Sequence, residues 1–213
     1  VGLTGSGKTT MLNLLERFYE AGEGNVMIGD RDVKELSLGQ LRSRYSYVQQ
    51  DTGVFGGSVR EAMTYGIRRD LTDEEIITAA QNAGAWDFIQ KLSGGLDAKI
   101  TADGASLSGG QRQRVLISRA VAGKPEILIL DDSSSALDYR TDANLRKALG
   151  EALPGTTVIT VAQRVSSVKN CDLILVIEEG EIIGCGKHDA LMENCAEYKE
   201  ISDSQMGGAF LDD

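Results

Sequence analysis

Apolar positions along the chain follow two rhythms. Short runs of Ile, Leu, Val and Thr at residues 127–130, 157–161 and 173–177 end in acidic or polar residues and have the length of buried strands. They alternate with stretches in which apolar residues recur at three- and four-residue spacing, the period of a helix with one buried face. That alternation predicts βαβ units and a parallel sheet, so the chain reads as α/β. Helix starts are legible as well. Ser37 with Gln40, and Thr72 with Glu75, fit the capping box, in which two orphan backbone amides are satisfied reciprocally. The second opens a helical run over residues 73–83. From about residue 58 to 122 the pattern is mostly helical, broken at Gly94-Gly95 and over 101–106, whereas the strands lie on both flanks. The expected organisation is an α/β core of residues 1–50 and 122–203, a helical subdomain inserted at 51–121, and a tail, 204–213, with the composition of a frayed terminus.

Composition narrows the function classes. With 213 residues, 41% of them hydrophobic and 25% charged, the chain has enough apolar material for one large domain or two small ones. Its longest apolar runs fall far short of the roughly 18 residues of a membrane span. A formal charge of −10 argues against a nucleic-acid-binding surface, which needs a dense basic patch. Cys171, Cys185 and Cys195 show no Cys-x-x-Cys spacing, so neither a disulfide framework nor a zinc site is expected, and a reducing cytosol fits best. Val1 stands directly before a motif glycine, with no initiator Met and no signal-peptide pattern, which reads as a segment of a longer protein.

Three segments carry chemistry. Gly2-Leu3-Thr4-Gly5-Ser6-Gly7-Lys8-Thr9 satisfies G-x-x-x-x-G-K-[ST] and is followed by a helix-forming stretch, 10–18. The glycines let backbone amides curl around phosphates, Lys8 adds positive charge, and the Thr9 hydroxyl is offered to Mg2+. Gly2, Thr4, Gly5, Ser6, Gly7, Lys8, Thr9 and Thr10 are therefore the expected nucleotide contacts. The run 127–130 delivers Asp131 and Asp132 at the C-terminal end of a parallel strand, where α/β sheets hold their ligands. Leu107-Ser108-Gly109-Gly110-Gln111, followed by the helix 112–121, makes a second phosphate cradle at a helix N-terminus.

That last segment is similar to the signature of ATP-binding cassettes, and the motif order down the whole chain resembles a nucleotide-binding domain of an ABC transporter. The resemblance implies a P-loop NTPase, RecA-like core with a predominantly parallel sheet and an inserted helical subdomain, with ATP and Mg2+ as cofactors. By the same resemblance Asp131 assists Mg2+ coordination, Gln50 is the glutamine that reaches Mg2+ and the attacking water, and Ser135-Ala136-Leu137-Asp138 is the D-loop. Phe55-Gly-Gly-Ser-Val-Arg-Glu-Ala-Met-Thr-Tyr-Gly66 looks like the segment that follows that glutamine in exporters. Cys185-Gly-Lys-His-Asp-Ala-Leu191 resembles their C-terminal Gly-x-His element. In exporters a six-helix transmembrane domain precedes the cassette, together with an aromatic residue that stacks on adenine, and both are expected upstream of Val1. The cassette itself is expected at the cytoplasmic face of the membrane.

Two positions depart from the family pattern. Where it places the glutamate of hydrolysis, this chain has Asp132, whose carboxylate is shorter by about 1.5 Å. A misplacement of ~1 Å costs roughly 100-fold in rate. Where it places the switch histidine, this chain has Gln163, which donates a hydrogen bond but cannot titrate near neutral pH. His188, the only histidine, lies elsewhere. The expectation is a degenerate, slowly hydrolysing site beside an intact signature. Because cassettes of this family pair head to tail, that combination implies a non-identical second nucleotide-binding domain, whose ATP Ser108, Gly109, Gly110 and Gln111 complete. An active enzyme that tolerates both residues, a non-hydrolysing regulatory module and a non-transport ABC ATPase remain open at this level. The stretch 101–106 also departs from the Gly-Glu-Arg-Gly-like loop of exporters, at a position where loops vary freely.

Overall fold

The computed structural model describes residues 1–49, 53, 56–101, 106–133 and 136–208. Gln50, Phe55, Ser135, residues 102–105 and residues 209–213, on which parts of the sequence reading fall, lie outside the described residues. The elements begin with α1 (Lys8–Leu15), β1 (Met27–Ile28), β2 (Arg31–Asp32), α2 (Leu38–Arg42), β3 (Tyr45–Val48) and β4 (Gly57–Ser58). They continue with α3 (Val59–Thr64), α4 (Asp73–Asn82), α5 (Trp86–Ile89), β5 (Lys99–Ile100), α6 (Gly109–Ala122) and β6 (Ile127–Asp131). The last are α7 (Tyr139–Ala152), β7 (Thr157–Val161), β8 (Ile174–Glu178), β9 (Glu181–Gly186), α8 (His188–Asn194) and α9 (Ala196–Gly208). Among the described residues no helix is long and apolar enough to cross a membrane.

The chain divides into two compact units, Val1–Leu41 with Thr160–Asp213, and Arg42–Ile159. In the second, β3 pairs parallel with β6, in a sheet of order β3-β6-β7, so that Tyr45 faces Ile127 and Val48 faces Leu130. Leu128, Ile129 and Leu130 are consecutive and all buried, as a strand covered on both faces requires. Helix α6 packs on β3, α3 and α4, and its Val115, Leu116 and Ile117 join Val59, Met63, Ile76 and Ala80 in one core. Both capping boxes read from sequence are present: Gln40 N–H donates to Ser37 Oγ at 3.2 Å, and Glu75 N–H to Thr72 Oγ1 at 3.3 Å. A third starts α3, where buried Ser58 accepts from Glu61 N–H at 3.1 Å while its own N–H donates to Glu61 Oε2 at 2.6 Å. Removing such a cap costs about 1 kcal/mol. Ser58→Ala should therefore lower the melting temperature by about 2–4 °C, read by thermal unfolding.

The first unit holds α1, the β1–β2 and β8–β9 hairpins, α8 and α9, around a small core that includes Val1, Ala162, Val165, Val176, Leu191 and Tyr198. The β8–β9 turn is Glu179-Gly180, with φ of 47° and 87°, the left-handed pair that a two-residue hairpin turn needs. Val1 lies beside β8, its nitrogen donating to the Leu175 carbonyl at 2.7 Å and its carbonyl accepting from Ile177 N–H at 2.8 Å. That alternation is a parallel ladder.

Several boundaries differ from those the pattern predicts, each for a local reason. Helix α1 occupies Lys8–Leu15 instead of 10–18, because Gly7 caps it and Arg17 turns left-handed, φ 53°. Helix α6 begins at Gly109, three residues early, because Ser108 caps it there. Strand β8 is shifted by one residue, to Ile174–Glu178. The expected frayed tail is helical through Gly208, since Tyr198 and Ser202 are buried and tertiary packing holds α9 where intrinsic propensity does not.

Candidate functional site

The P-loop joins Val1, at the edge of β8, to α1. Gly2 is buried against β8: a Cβ there would stand 2.1 Å from the Ile177 carbonyl oxygen and 2.8 Å from Ser6 Oγ. The loop closes through a hydrogen bond from Ser6 N–H to the Leu3 carbonyl, 3.2 Å, and is tied to the β8–β9 turn by Gly180 N–H donating to the Ser6 carbonyl at 3.0 Å. Lys8 reaches back over the loop, Nζ donating to the carbonyls of Gly2 at 2.9 Å and Leu3 at 2.6 Å and to Ser6 Oγ at 3.3 Å. Its charge is thereby held at the mouth of the loop.

These residues fit a polyphosphate. The N-cap of α1 is Gly7, φ 102°, which supplies no side-chain acceptor, and the first turn carries no acidic residue. The helix start thus presents positive potential and donors, which an anion satisfies. Gly5, φ 84°, has open space where a Cβ would stand, so the backbone is exposed to a ligand. Thr4, Thr9 and Thr10 are exposed beside it, the last two on the first turn of α1.

Asp131 ends β6 and Asp132 follows it, and both are buried. Tyr47, on β3, donates its phenol proton to Asp131 Oδ2 at 2.8 Å. The parallel register explains that contact: Tyr47 faces Ile129, so Asp131, two residues on, lies on the same face. Asp132 has φ 46°, a left-handed conformation that Asp adopts more readily than most residues. Among the described residues no three His, Cys, Asp or Glu side chains gather into a metal cluster. The carboxylate pair fits Mg2+, which is commonly held by one or two carboxylates together with substrate phosphates.

Ser108, Gly109, Gly110 and Gln111 form the start of the 14-residue helix α6. Ser108 Oγ accepts from Gln111 N–H at 3.2 Å and Gln111 Oε1 accepts from Ser108 N–H at 2.9 Å. As acceptor in that bond, the hydroxyl keeps its proton to donate. A Cβ at Gly110 would lie 3.3 Å from the Ala136 carbonyl oxygen and 3.4 Å from Leu137 Cδ2, so a larger residue there would have to displace the 136–137 segment by a few tenths of an ångström. Arg114 braces the helix start, donating from Nε to the Gly110 carbonyl at 3.2 Å and from Nη1 to the Gly84 carbonyl at 2.9 Å, with its guanidinium 5.1 Å from the Phe88 ring centroid.

Gln163 follows buried Ala162 and is exposed. The P-loop and Gln163 belong to the unit Val1–Leu41 with Thr160–Asp213, and Asp131, Asp132 and the signature segment to Arg42–Ile159. His188 is not near the switch position in the chain and is otherwise engaged, its Nδ1 2.9 Å from the hydroxyl of buried Tyr198. Three contributors were not readable from motifs: Tyr47, the Glu179-Gly180 turn behind the P-loop, and Gln205, which bonds the backbone on either side of Arg164. Each depends on register or tertiary packing, and only the helical spacing of Tyr198, Ser202 and Gln205 left a trace in the sequence.

The ABC transporter family model matches residues 1–135. The chain is similar to the ATP-dependent lipid A-core flippase of Methylobacillus flagellatus, 43% identical over 206 residues that make up 97% of this chain and 35% of the flippase. It is similar to ABC transporter B family member 17 of Arabidopsis thaliana, 44% identical over 194 residues, 91% of this chain and 16% of the plant protein. In structure it matches a bacterial Atm1-family ABC exporter with ATP bound, TM-score 0.91 and 34% identity, over 96% of this chain and 36% of the exporter. The chain thus spans about a third of the flippase and of the exporter, and less of the plant protein.

Proposed function

The chain belongs to the ABC transporter family, and from that premise we propose that it is the ATP-binding and ATP-hydrolysing cassette of a membrane exporter, dimerising head to tail to power export. The P-loop carries the reading: Lys8 is held over the loop carbonyls, Gly5 leaves its backbone open, and α1 starts without a side-chain cap. Gly2, Thr4, Gly5, Ser6, Gly7, Lys8, Thr9 and Thr10 bind the phosphates of ATP. The Thr9 hydroxyl and Asp131, with Gln50, hold Mg2+, and Tyr47 orients Asp131 through its hydrogen bond. When bound, Mg2+ would supply positive charge at the phosphates.

Asp132 positions the attacking water and Gln163 donates to the γ-phosphate, but neither supplies what the family's glutamate and histidine do, so this chain's own site is degenerate. Binding survives because the P-loop is intact, and turnover falls because both positions act on the transition state. Ser108, Gly109, Gly110 and Gln111 complete the ATP site of a second, non-identical nucleotide-binding domain. The intact capping box and the close packing of Gly110 on Ala136 support that role. The cassette comprises an α/β core, 1–50 and 122–203, with a helical subdomain at 51–121, and works at the cytoplasmic face of the membrane beneath a six-helix transmembrane domain.

ATP titration of the native chain beside Lys8→Ala, each with Mg2+, tests the binding half of the proposal. A hydrogen bond to a charged group is worth ~2 kcal/mol, so the variant should bind ATP about thirtyfold more weakly. Equal affinities would remove the P-loop as the nucleotide site.

A further inference from the structure

Helix α9 reaches back to the segment that carries Gln163. Gln205 Nε2 donates to the Gln163 carbonyl at 2.7 Å, and Gln205 Oε1 accepts from Val165 N–H at 2.8 Å. One carboxamide therefore bridges the C=O of one residue and the N–H of the second one after it, as a neighbouring strand would. Few side chains do both, since the task needs a donor and an acceptor in one plane. The contact links residues 40 and 42 positions apart in the chain.

The bridge is rigidly delivered. Tyr198, Ser202 and Gln205 follow one another at helical spacing, so they share a face of α9. Tyr198 and Ser202 on that face are buried, and the Tyr198 hydroxyl is 2.9 Å from His188 Nδ1 on α8. On the receiving side, Ala162 and Val165 are buried in the same apolar cluster as Val1, the residue that leads into the P-loop. Gln163 is thus exposed at its side chain while its main chain is pinned before and after, by Ala162 and by Gln205.

We infer that Gln205 is a positioning residue for Gln163, through which the C-terminal helix sets how well the site distinguishes ATP from ADP. The inference rests on the reading of Gln163 as the group that meets the γ-phosphate. When the bridge is present, the Gln163 main chain is held before nucleotide arrives. When it is absent, ordering that segment opposes binding of the γ-phosphate but not of the remainder of the nucleotide.

The test uses the full chain as native protein, Gln205→Ala, Gln205→Glu and Gln163→Ala, with Mg-ATP and Mg-ADP affinities and hydrogen exchange of the Val165 amide. Gln205→Ala should weaken ATP by about five- to tenfold, the worth of roughly one neutral hydrogen bond, with ADP within about twofold and Val165 exchange faster. In Gln205→Glu the carboxylate still accepts from Val165 but sets an oxygen against the Gln163 carbonyl. ATP preference should fall as in Gln205→Ala while Val165 protection is kept. Equal loss of ATP and ADP affinity, or an unchanged ratio once Val165 exchange shows the bridge broken, overturns the inference alone, provided Gln163→Ala lowers ATP preference. If Gln163→Ala leaves that preference unchanged, the reading of Gln163 fails and this inference falls with it.

Discussion

Replacing Asp132 by Glu and Gln163 by His together should raise steady-state Mg-ATP hydrolysis by the chain roughly 100-fold, with ATP affinity changed by less than about threefold. The structure sharpens the reason. Asp132 leaves β6 buried and in a left-handed conformation, so its Cα–Cβ direction is set by packed backbone and cannot turn to make up for a short side chain. Glutamate adds about 1.5 Å of reach along that fixed direction. Histidine at position 163 restores a group that carries charge and titrates near neutral pH. The glutamate is less at ease than aspartate at φ 46°, so the double variant should also melt about 1–3 °C lower, a cost that separates gain of function from general stabilisation. Phosphate-release kinetics on native chain, both single variants and the double variant decide the matter. If the native chain turns over as fast as the double variant, Asp132 and Gln163 are sufficient as they stand. An unlike partner is then not required, and a homodimeric cassette takes its place.

Much of the site was legible because its chemistry is local. A P-loop is a contiguous run of glycines, a lysine and a hydroxyl at a helix start, and the glycines at positions 5 and 7 have the positive φ that such a turn needs. Capping boxes are equally local, which is why Thr72 with Glu75 marks the start of α4 correctly. Strand β7 occupies residues 157–161, as its apolar run predicts, and β6 only adds Asp131 to its run.

What was illegible is non-local or weakly patterned. Strand β9 pairs antiparallel with β8, yet Glu181, Ile182, Ile183 and Cys185 are exposed, so no alternation of apolar and polar positions announces it. Its turn is Glu179-Gly180, and a glutamate at φ 47° is not a residue from which a left-handed turn is read. The contact of Tyr47 with Asp131 requires knowing that β3 and β6 are parallel and in which register. The His188–Tyr198 and Gln205 contacts require α8 and α9 to be placed first.

Gly2→Ala should be the most damaging single substitution in the P-loop for stability, and the contrast with Gly5→Ala shows why the two glycines differ. At Gly2 the added methyl would stand 2.1 Å from the Ile177 carbonyl oxygen, far inside contact distance and against backbone that cannot rotate away. That carbonyl belongs to β8, which is also bonded to Val1 through Ile177 N–H, so relief requires prising the start of the P-loop from the strand. Overpacking of this kind costs about 3 kcal/mol, which for a chain of this size is a fall of roughly 6–12 °C in melting temperature. Nucleotide affinity should fall as well, because the Gly2 carbonyl is one of the acceptors that hold Lys8. At Gly5 an added methyl meets nothing within 4 Å, and the cost is confined to a side chain at φ 84°. Gly5→Ala should melt within about 4 °C of native, from roughly 1 kcal/mol of backbone strain, yet lose ATP affinity because the methyl occupies the space left open for phosphate. Melting curves and ATP titrations of the two variants thus separate a glycine required by the fold from one required by the ligand. A Gly2→Ala chain that melts with the native protein would show that the loop does not lie against β8 as described.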